Sequence, residues 1–241
     1  MSDDRQPILS VRELKVQFQV SADKARTWTP DRLHKAVNGI SFDLYAGETL
    51  GIVGESGCGK STLARSLLNL NPASSGTVSW MGQEMTQASE AAWLAVRKDI
   101  QMIFQDPLAS LDPRMTVAQI IAEPLRTHHP ELSTEAVMQK VRAMMSRVGL
   151  TAQQINRYPH EFSGGQCQRI GIARALILEP KLIVCDEPVS ALDVSIQAQI
   201  INLLKALQKE LGLALIFIAH DLAVVRHISH RIIVMYLAQT M

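Results

Sequence analysis

The chain has 241 residues, of which 47% are hydrophobic and 20% are charged, and its formal net charge is +1. This composition is typical of a globular protein with a sizeable core. The near-zero charge excludes a general attraction to nucleic acid or acidic membranes, and we expect no nucleic-acid partner. The sequence shows neither a signal peptide nor a membrane-spanning run, and the three cysteines form no Cys-x-x-Cys pair. We therefore expect reduced thiols and a cytosolic protein that is able to dock on a membrane protein.

The first part of the chain alternates predicted strands with turns. Apolar alternation and short apolar runs predict strands at 8–18, 40–44, 50–53 and 77–80. The polar insertion 21–35 is predicted to be a long hairpin loop. Helices are predicted over 61–68 and 88–97, and a strand over 100–104 ends this part of the chain.

The rest of the chain begins with a region that is predicted to contain only helices. Helical periodicity runs from 117 to 148, interrupted at Pro124 and Pro130, and a further helix spans about 162–178. Strands at 182–185, 213–219 and 231–235 and a helix at 194–210 complete the pattern. Alternating strands and helices predict an α/β fold with a mostly parallel sheet. We expect a single domain, 1–241, with a core lobe (about 1–104 and 179–241) and an inserted helical lobe (about 105–178).

A phosphate-binding loop is predicted between the strand at 50–53 and the helix that follows it. Residues 54–61 fit the pattern Gly-x-x-x-x-Gly-Lys-Ser/Thr. Lys60 is expected to contact the β- and γ-phosphates, and the Ser61 hydroxyl is expected to bind Mg²⁺. The alternative, a glycine-rich turn without a ligand, is disfavoured by the strand–loop–helix context. The residues assigned to nucleotide binding here are Gly54, Glu55, Ser56, Gly57, Cys58, Gly59, Lys60, Ser61 and Thr62.

Polar residues follow three of the predicted core strands. Asp186 and Glu187 end an apolar strand, where side chains face the ligand crevice of an open α/β sheet. Asp186 is predicted to hold Mg²⁺ and Glu187 to act as the base that polarises the attacking water. Gln105 is able to bind Mg²⁺ or the water through its amide, and His220 is able to hydrogen-bond the γ-phosphate. Each of these residues also has a purely structural interpretation, a surface cap or a packed side chain.

A second anion-binding element is predicted at the start of the helix near residue 163. Ser163, Gly164, Gly165 and Gln166 combine backbone amides, a hydroxyl and a helix N-terminus. The chain therefore has two phosphate-binding elements but one set of metal ligands. We expect a dimer in which each Ser163–Gln166 element completes the site of the partner.

These motifs together resemble the ATP-binding subunits of ABC transporters, over Ile8 to about Leu237. Phe162 replaces the usual leucine of the signature motif, and the resemblance implies that Phe18, or less favourably Trp28, stacks on adenine. It also implies ATP and Mg²⁺ as ligands, Asp193 at the nucleotide, and the fold of a P-loop nucleotide-binding domain with an antiparallel β subdomain. The motifs, in family order, are the Walker A loop (Gly54–Ser61), the Q-loop (Gln105), the signature (Phe162–Gln166), Walker B with its glutamate (Leu182–Glu187), the D-loop (Ser190–Asp193) and the switch histidine (His220).

The segments 104–114 and 157–166 are similar to the peptide-importer branch, in particular to the second ATP-binding subunit of bacterial oligopeptide permeases. This resemblance implies a second, different ATPase chain, two transmembrane permease subunits and, indirectly, a periplasmic peptide-binding protein. It also implies a peripheral location on the cytoplasmic face of the inner membrane. The branch normally continues past residue 237 with an extension that carries a cysteine cluster, and we expect this chain to lack it. Alternatives are importers of dipeptides, murein peptides or nickel, a soluble ABC-type ATPase, and a noncatalytic regulatory cassette.

Overall fold

Two β-sheets and seven α-helices form the part of the chain that the computed structural model describes, residues 6–20 and 32–240. The strands are β1 (Leu9–Val20), β2 (Arg32–Leu44), β3 (Thr49–Gly54), β4 (Ser75–Trp80), β5 (Gln83–Glu84), β6 (Ile100–Ile103), β7 (Leu182–Asp186), β8 (Ala214–Ala219), β9 (Arg231–Tyr236) and β10 (Gln239–Thr240). The helices are α1 (Lys60–Leu67), α2 (Glu90–Arg97), α3 (Val117–His128), α4 (Thr134–Arg147), α5 (Gly164–Leu176), α6 (Val194–Leu211) and α7 (Leu222–Ile228).

The larger sheet is mostly parallel, as the sequence predicted. Its strand order is β10-β9-β3-β8-β7-β6, and only β10 runs antiparallel to its neighbour. Strands β7 and β8 are buried along their whole length, which explains why they are continuous apolar runs in the sequence. Because the five parallel strands point the same way, the loops that follow β3, β6, β7 and β8 leave the sheet at one edge. This edge carries the phosphate loop, Gln105, Glu187 and His220.

The smaller sheet is antiparallel and has the order β2-β1-β4-β5. The strand predicted at 77–80 corresponds to β4, which lies between β1 and the short β5. The insertion was predicted to extend to Lys35, which is wrong, because β2 begins at Arg32 and its ladder pairs Lys35 with Gln17 and His34 with Phe18. His34 and Lys35 are polar and exposed, which concealed this end of the strand in the sequence. Residues 21–31, with the adenine candidate Trp28, lie outside the described residues.

Three helices, α3, α4 and α5, follow the Gln105 region. The predicted interruption at Pro124 is wrong, because Pro124 lies inside α3 and is buried. Proline removes one backbone hydrogen bond from a helix, and here the packing of α3 against α5 and α4 offsets that loss. The helix ends at His128, just before Pro130, as predicted. Ser133 caps α4 by accepting a hydrogen bond from the Ala136 amide.

The two faces of the larger sheet pack against two separate hydrophobic cores. One core joins α3–α6 to the side chains of Ile183 and Phe217. The other joins α1, α2 and the antiparallel sheet to Val184 and Ile216. Met144 and Met145 are buried core residues. Among the described helices, none combines the length and the apolar character that a bilayer crossing requires.

Candidate nucleotide-binding site

The loop between β3 and α1 is tightly packed, and its backbone amides are the groups that a phosphate would contact. Gly57 and Gly59 have φ angles of +81° and +102°, which residues with side chains rarely adopt. A Cβ atom at Gly59 would lie 1.9 Å from the carbonyl oxygen of Ala36 in β2. The first amides of a helix have no acceptor within the helix, and no side chain caps the N-terminus of α1. Such free amides at the positive end of a helix form an anion site.

Lys60 lies across this loop and is 4% exposed. Its Nζ donates hydrogen bonds of 2.8 Å to the carbonyl oxygens of Gly54 and Glu55. The same ammonium lies 3.9 Å from Oε1 of Glu187. The lysine is therefore held at the loop by neutral carbonyls and one carboxylate, and all three contacts are at the place where phosphate oxygens are expected.

Asp186, at the end of β7, forms a polar pair with Ser61 at the start of α1. The Ser61 hydroxyl donates a 2.9 Å hydrogen bond to Oδ1 of Asp186, whose side chain is 1% exposed. Burial raises the pKa of Asp186 above its ordinary value, against the Ser61 hydrogen bond and the positive charge of Arg65, which lower it. Oδ2 of Asp186 is buried and has no hydrogen-bond partner among the described residues.

An orphaned, buried carboxylate oxygen beside a hydroxyl fits a hard divalent cation that prefers oxygen ligands. Among residues 6–20 and 32–240, no cluster of three or more His, Cys, Asp or Glu side chains could hold a metal ion alone. A cation at Ser61 and Asp186 would therefore need oxygens from outside the chain. Mg²⁺ bound together with substrate phosphates meets this condition, because Mg²⁺ is usually held by one or two carboxylates plus phosphates and water.

Hydrogen bonds to the backbone and to the side chain of Glu187 fix its orientation. Its backbone has a φ of +46°, and its amide donates to the carbonyl oxygen of Ile218 at 3.0 Å. The Ser190 hydroxyl donates to the Glu187 carbonyl oxygen at 3.1 Å. At the side chain, Nε2 of Gln105 donates to Oε2 at 2.9 Å. A residue held in a sparsely populated backbone region by such contacts is typical of functional sites, and Gln105, Glu187 and Lys60 are brought together as the sequence predicted.

The Ser163–Gln166 element caps α5. Ser163 Oγ accepts from the Gln166 amide, and Gln166 Oε1 accepts from the Ser163 amide at 3.0 Å. A Cβ atom at Gly165 would lie 2.6 Å from Cγ2 of Ile196, so glycine allows α5 to approach α6 closely. Within the described part of the chain, no hydrogen bond or ion pair joins this element to the phosphate loop. The structure therefore does not bring the two predicted anion elements together through direct polar contacts.

The three remaining candidates lie at the surface. His220 is exposed and follows β8, whose Ala219 pairs with Val53 just before the phosphate loop. Phe18 is 42% exposed on β1. Asp193 precedes α6, and its side chain makes no capping hydrogen bond. These positions are compatible with the predicted nucleotide contacts, and the roles of all three residues stay predictions.

A large cavity beside Gln105 is lined in part by polar side chains that were not predicted from the sequence. The cavity has a volume of about 1100 Å³, and its lining includes Arg65, Phe104, Glu123 and Arg174. No sequence signal could have identified them, because single arginines and glutamates in helical runs are normally solvated. The cavity becomes visible only when the loop after β6 is placed against α1, α3 and α5.

Comparison with known proteins gives one consistent result. A family model described as "ABC transporter" matches residues 37–190. The oligopeptide transport ATP-binding protein OppF of Escherichia coli (strain K12) is 63% identical over 237 residues, which are 98% of this chain and 71% of that protein. The glutathione import ATP-binding protein GsiA of Pectobacterium atrosepticum is 53% identical over 97% of this chain, but this match covers only 37% of GsiA.

Among solved structures, a post-hydrolysis dimer of the ATP-binding cassette MJ0796 bound to ADP and Pi has a TM-score of 0.84. Its sequence identity to this chain is 26%, and the match covers 96% of both chains. CbiO1 of Clostridium perfringens, described as part of the transporter complex cbiONQ, has a TM-score of 0.81 and 28% identity, over 98% of this chain and 88% of CbiO1.

Proposed function

The chain belongs to the ABC transporter family, and on that premise we propose that it is the ATP-hydrolysing subunit that powers a bacterial importer of oligopeptides. The observation that carries this proposal is the cluster of Lys60, Glu187 and Gln105 beside the Ser61–Asp186 pair. The match to OppF favours oligopeptides over glutathione-like cargo, because it has the higher identity and covers much more of the relative.

ATP binding is expected to exchange one set of contacts for another. The phosphate-loop amides and Lys60 bind the β- and γ-phosphates, and Lys60 thereby exchanges the carbonyl oxygens of Gly54 and Glu55 for phosphate oxygens. Ser61 and Asp186, with the carbonyl oxygen of Gln105, would hold Mg²⁺. When bound, Mg²⁺ neutralises charge on the phosphate oxygens.

The hydrolytic step is assigned to Glu187. Its carboxylate accepts a proton from the attacking water, which is the role of a general base. The strained backbone and the Ile218 contact hold the carboxylate beside Lys60, where the γ-phosphate is expected. Gln105 donates to the same carboxylate and is placed to orient the water, while His220 is assigned a hydrogen bond to the γ-phosphate.

The site is proposed to be completed by a partner cassette. Among the described residues, the Ser163–Gln166 element of the proposed helical lobe, about 105–178, has no direct polar contact with the phosphate loop of its own chain, and the MJ0796 structure is described as a dimer. In a head-to-tail dimer, the partner's element would bind the nucleotide from the opposite side. We assign Asp193 to the same interface and Phe18 to adenine stacking.

The assembly proposed for this chain is peripheral to a membrane. It contains a second ATPase chain of different sequence and two transmembrane permease subunits on the cytoplasmic face of the inner membrane, and it is supplied by a periplasmic peptide-binding protein. OppF, whose name describes oligopeptide transport, supports this assignment. The cavity beside Gln105 offers exposed apolar groups such as Leu70, together with arginines, as a docking surface for the permease subunits.

The substitution Glu187→Gln tests the proposed function. The amide keeps the shape of the side chain but cannot accept the proton of the water, so ATP binding should remain while phosphate release stops. ATP-dependent dimers should then persist in size-exclusion chromatography, with the partner chain supplied where needed. Glu84→Gln, an exposed carboxylate on β5, is the matched control and should behave as the unchanged chain. Phosphate release by Glu187→Gln at the unchanged rate would show that Glu187 is not the base.

A further inference from the structure

The antiparallel pairing of β1 with β2 contains a β-bulge close to the phosphate loop. Val16 pairs with Val37. The next residue of β1, Gln17, pairs with Lys35, so Ala36 is left out of the ladder. A β-bulge inserts one residue into one strand, and bulges next to active sites re-aim a side chain. The bulge therefore determines which residue of β2 lies opposite the end of β1.

The bulged residue is also the one that packs on the phosphate loop. A Cβ atom added at Gly59 would lie 1.9 Å from the carbonyl oxygen of Ala36. Val16 and Val37, the pair that precedes the bulge, belong to the same hydrophobic core as Cys58 of the loop. The face of β1 that carries Val16 is therefore the face turned toward the loop.

Two exposed rings continue this face beyond the core. Phe18 follows Val16 by two residues and lies on the same face, because side chains alternate along a strand. Phe18 pairs with His34, and directly opposed residues of an antiparallel pair share a face, with Cβ atoms about 4.5–5.5 Å apart. Phe18 is 42% exposed, and His34 is also exposed. Without the bulge, the residue opposite Phe18 would be Lys35, which has no ring.

The position and the chemistry of these two rings suit the base of a nucleotide. A nucleotide that is bound by its phosphates in the loop carries its base outside the loop, and the two rings continue the adjoining face. Among the described residues, no hydrogen bond or ion pair engages the His34 imidazole, so its ring is available to a ligand. Aromatic side chains, histidine among them, stack on nucleobases. The bicyclic ring system of a purine covers two neighbouring side-chain rings, whereas the single ring of a pyrimidine covers one.

We propose that Phe18 and His34 together form a base platform, and that His34 makes the site selective for purine over pyrimidine nucleotides. This inference rests on the proposed function, because it requires that the phosphate loop bind the phosphates of the nucleotide. It deepens that function by assigning selectivity to a residue outside every motif of the chain. His34 contacts the base alone in this arrangement, so its loss should weaken binding of the base and leave binding of phosphate unchanged.

The same strand offers a matched control and a conservative variant. Leu33 is the neighbour of His34, is 52% exposed and lies on the opposite face of β2. Leu33→Ala therefore reproduces any loosening of β2 without removing a ring from the platform. His34→Phe keeps a flat aromatic ring at the same position and should retain base binding. Both positions are exposed, so the core is expected to fold in every variant.

Isothermal titration calorimetry of the full chain with Mg²⁺ and three ligands tests this inference. ADP, CDP and pyrophosphate carry a purine, a pyrimidine and no base, and none of them requires hydrolysis. His34→Ala should weaken ADP binding about 5- to 10-fold, at the lower end of the range for loss of one stacking ring. CDP binding should weaken by a smaller factor, and pyrophosphate binding should not change. His34→Phe and Leu33→Ala should bind all three ligands as the unchanged chain does.

The outcomes distinguish a failure of this inference from a failure of the proposed function. If the unchanged chain binds neither ADP nor pyrophosphate, the proposed function is overturned and the base platform with it. If His34→Ala binds ADP as tightly as Leu33→Ala does, the inference alone is overturned. Equal losses for ADP and pyrophosphate would show that His34 acts through the phosphate loop, and equal losses for ADP and CDP would show that it does not select purines. Either of these two results also overturns the inference alone.

Discussion

Replacement of Gly59 by alanine tests how the phosphate loop is built into the fold. In the structure, Gly59 has a φ of +102°, and an added Cβ would lie 1.9 Å from the carbonyl oxygen of Ala36. That oxygen belongs to β2, which is paired with β1 along its length. The Asn38 amide of β2 also donates a hydrogen bond to the carbonyl oxygen of Ala238, just before β10. The strand therefore cannot move away without breaking other contacts.

The magnitude follows from two costs. A residue with a side chain at such a φ costs about 1–3 kcal/mol, and forcing an extra carbon into packed backbone costs about a further 1–3 kcal/mol. The sum of about 2–6 kcal/mol corresponds to a fall in Tm of roughly 4–24 °C for a domain of this size. Gly57 provides the control, because its φ is +81° but an added Cβ would have no atom within 4 Å. Gly57→Ala should show only the cost of the positive φ, about 1–3 kcal/mol, which lowers the Tm by roughly 2–12 °C.

Thermal unfolding without nucleotide measures both variants under conditions in which only the fold contributes. A second scan with ATP and Mg²⁺ should raise the Tm of the unchanged chain, because a ligand that binds only the folded state stabilises it. Gly59→Ala should lose this rise, since the displaced loop no longer presents its amides to the phosphates. If Gly59→Ala unfolds at the same temperature as Gly57→Ala, or above it, the proposed clash with β2 does not govern the loop.

Two further predictions concern charged residues. Lys60→Ala should lower ATP turnover by more than about 100-fold, because Lys60 is the ammonium that the phosphate loop holds where the β- and γ-phosphates are expected. Lys209→Ala, which removes an exposed lysine on α6, is the control, and near-normal ATPase activity of Lys60→Ala would contradict the site. The Arg12 hydrogen bond lowers the pKa of Asp43 below its ordinary value of 3.8, so its stabilisation is present above 3.8 and is lost as the pH falls through the lowered pKa. Asp43→Asn should therefore lower the free energy of unfolding by about 1 kcal/mol or less at neutral pH, with a difference that vanishes in acid; a difference independent of pH would refute this account.

The central residues of the site could be predicted because they either form one continuous motif or directly follow predicted strands. The phosphate loop is one continuous motif, and Asp186 and Glu187 directly follow an apolar run. Parallel strands end at a common edge of the sheet, so residues that follow them must lie near one another. The contacts of Ser61 with Asp186 and of Gln105 with Glu187 confirm the proximity that this reasoning predicted.

Other features could not be predicted, because they depend on tertiary contacts. A proline within a helical pattern predicts a break in the helix. Helix α3 continues through Pro124 because this residue is buried against other helices. The short helix α7 and strand β10 were missed because neither has enough residues for a clear period, although Asp221 caps α7 through a 2.7 Å bond from the Ala223 amide. The hydrogen bond of Arg174 could not be predicted, because its acceptor is the backbone carbonyl of Ser110, 64 residues away. The pattern of side chains in a sequence gives no indication of such an acceptor.

The contacts within the site also show how the proposed catalytic groups are held in place in a single chain. Lys60 is satisfied by loop carbonyls and Glu187 by Gln105, so both charged groups remain oriented although they are largely removed from water. Preorganised groups of this kind stabilise developing charge without having to reorient during the reaction. The Ser163 element is equally satisfied by its own cap, yet it has no direct polar contact with the phosphate loop within the described residues. This separation is the physical reason for the proposal that a second cassette brings its own Ser163–Gln166 element to the nucleotide.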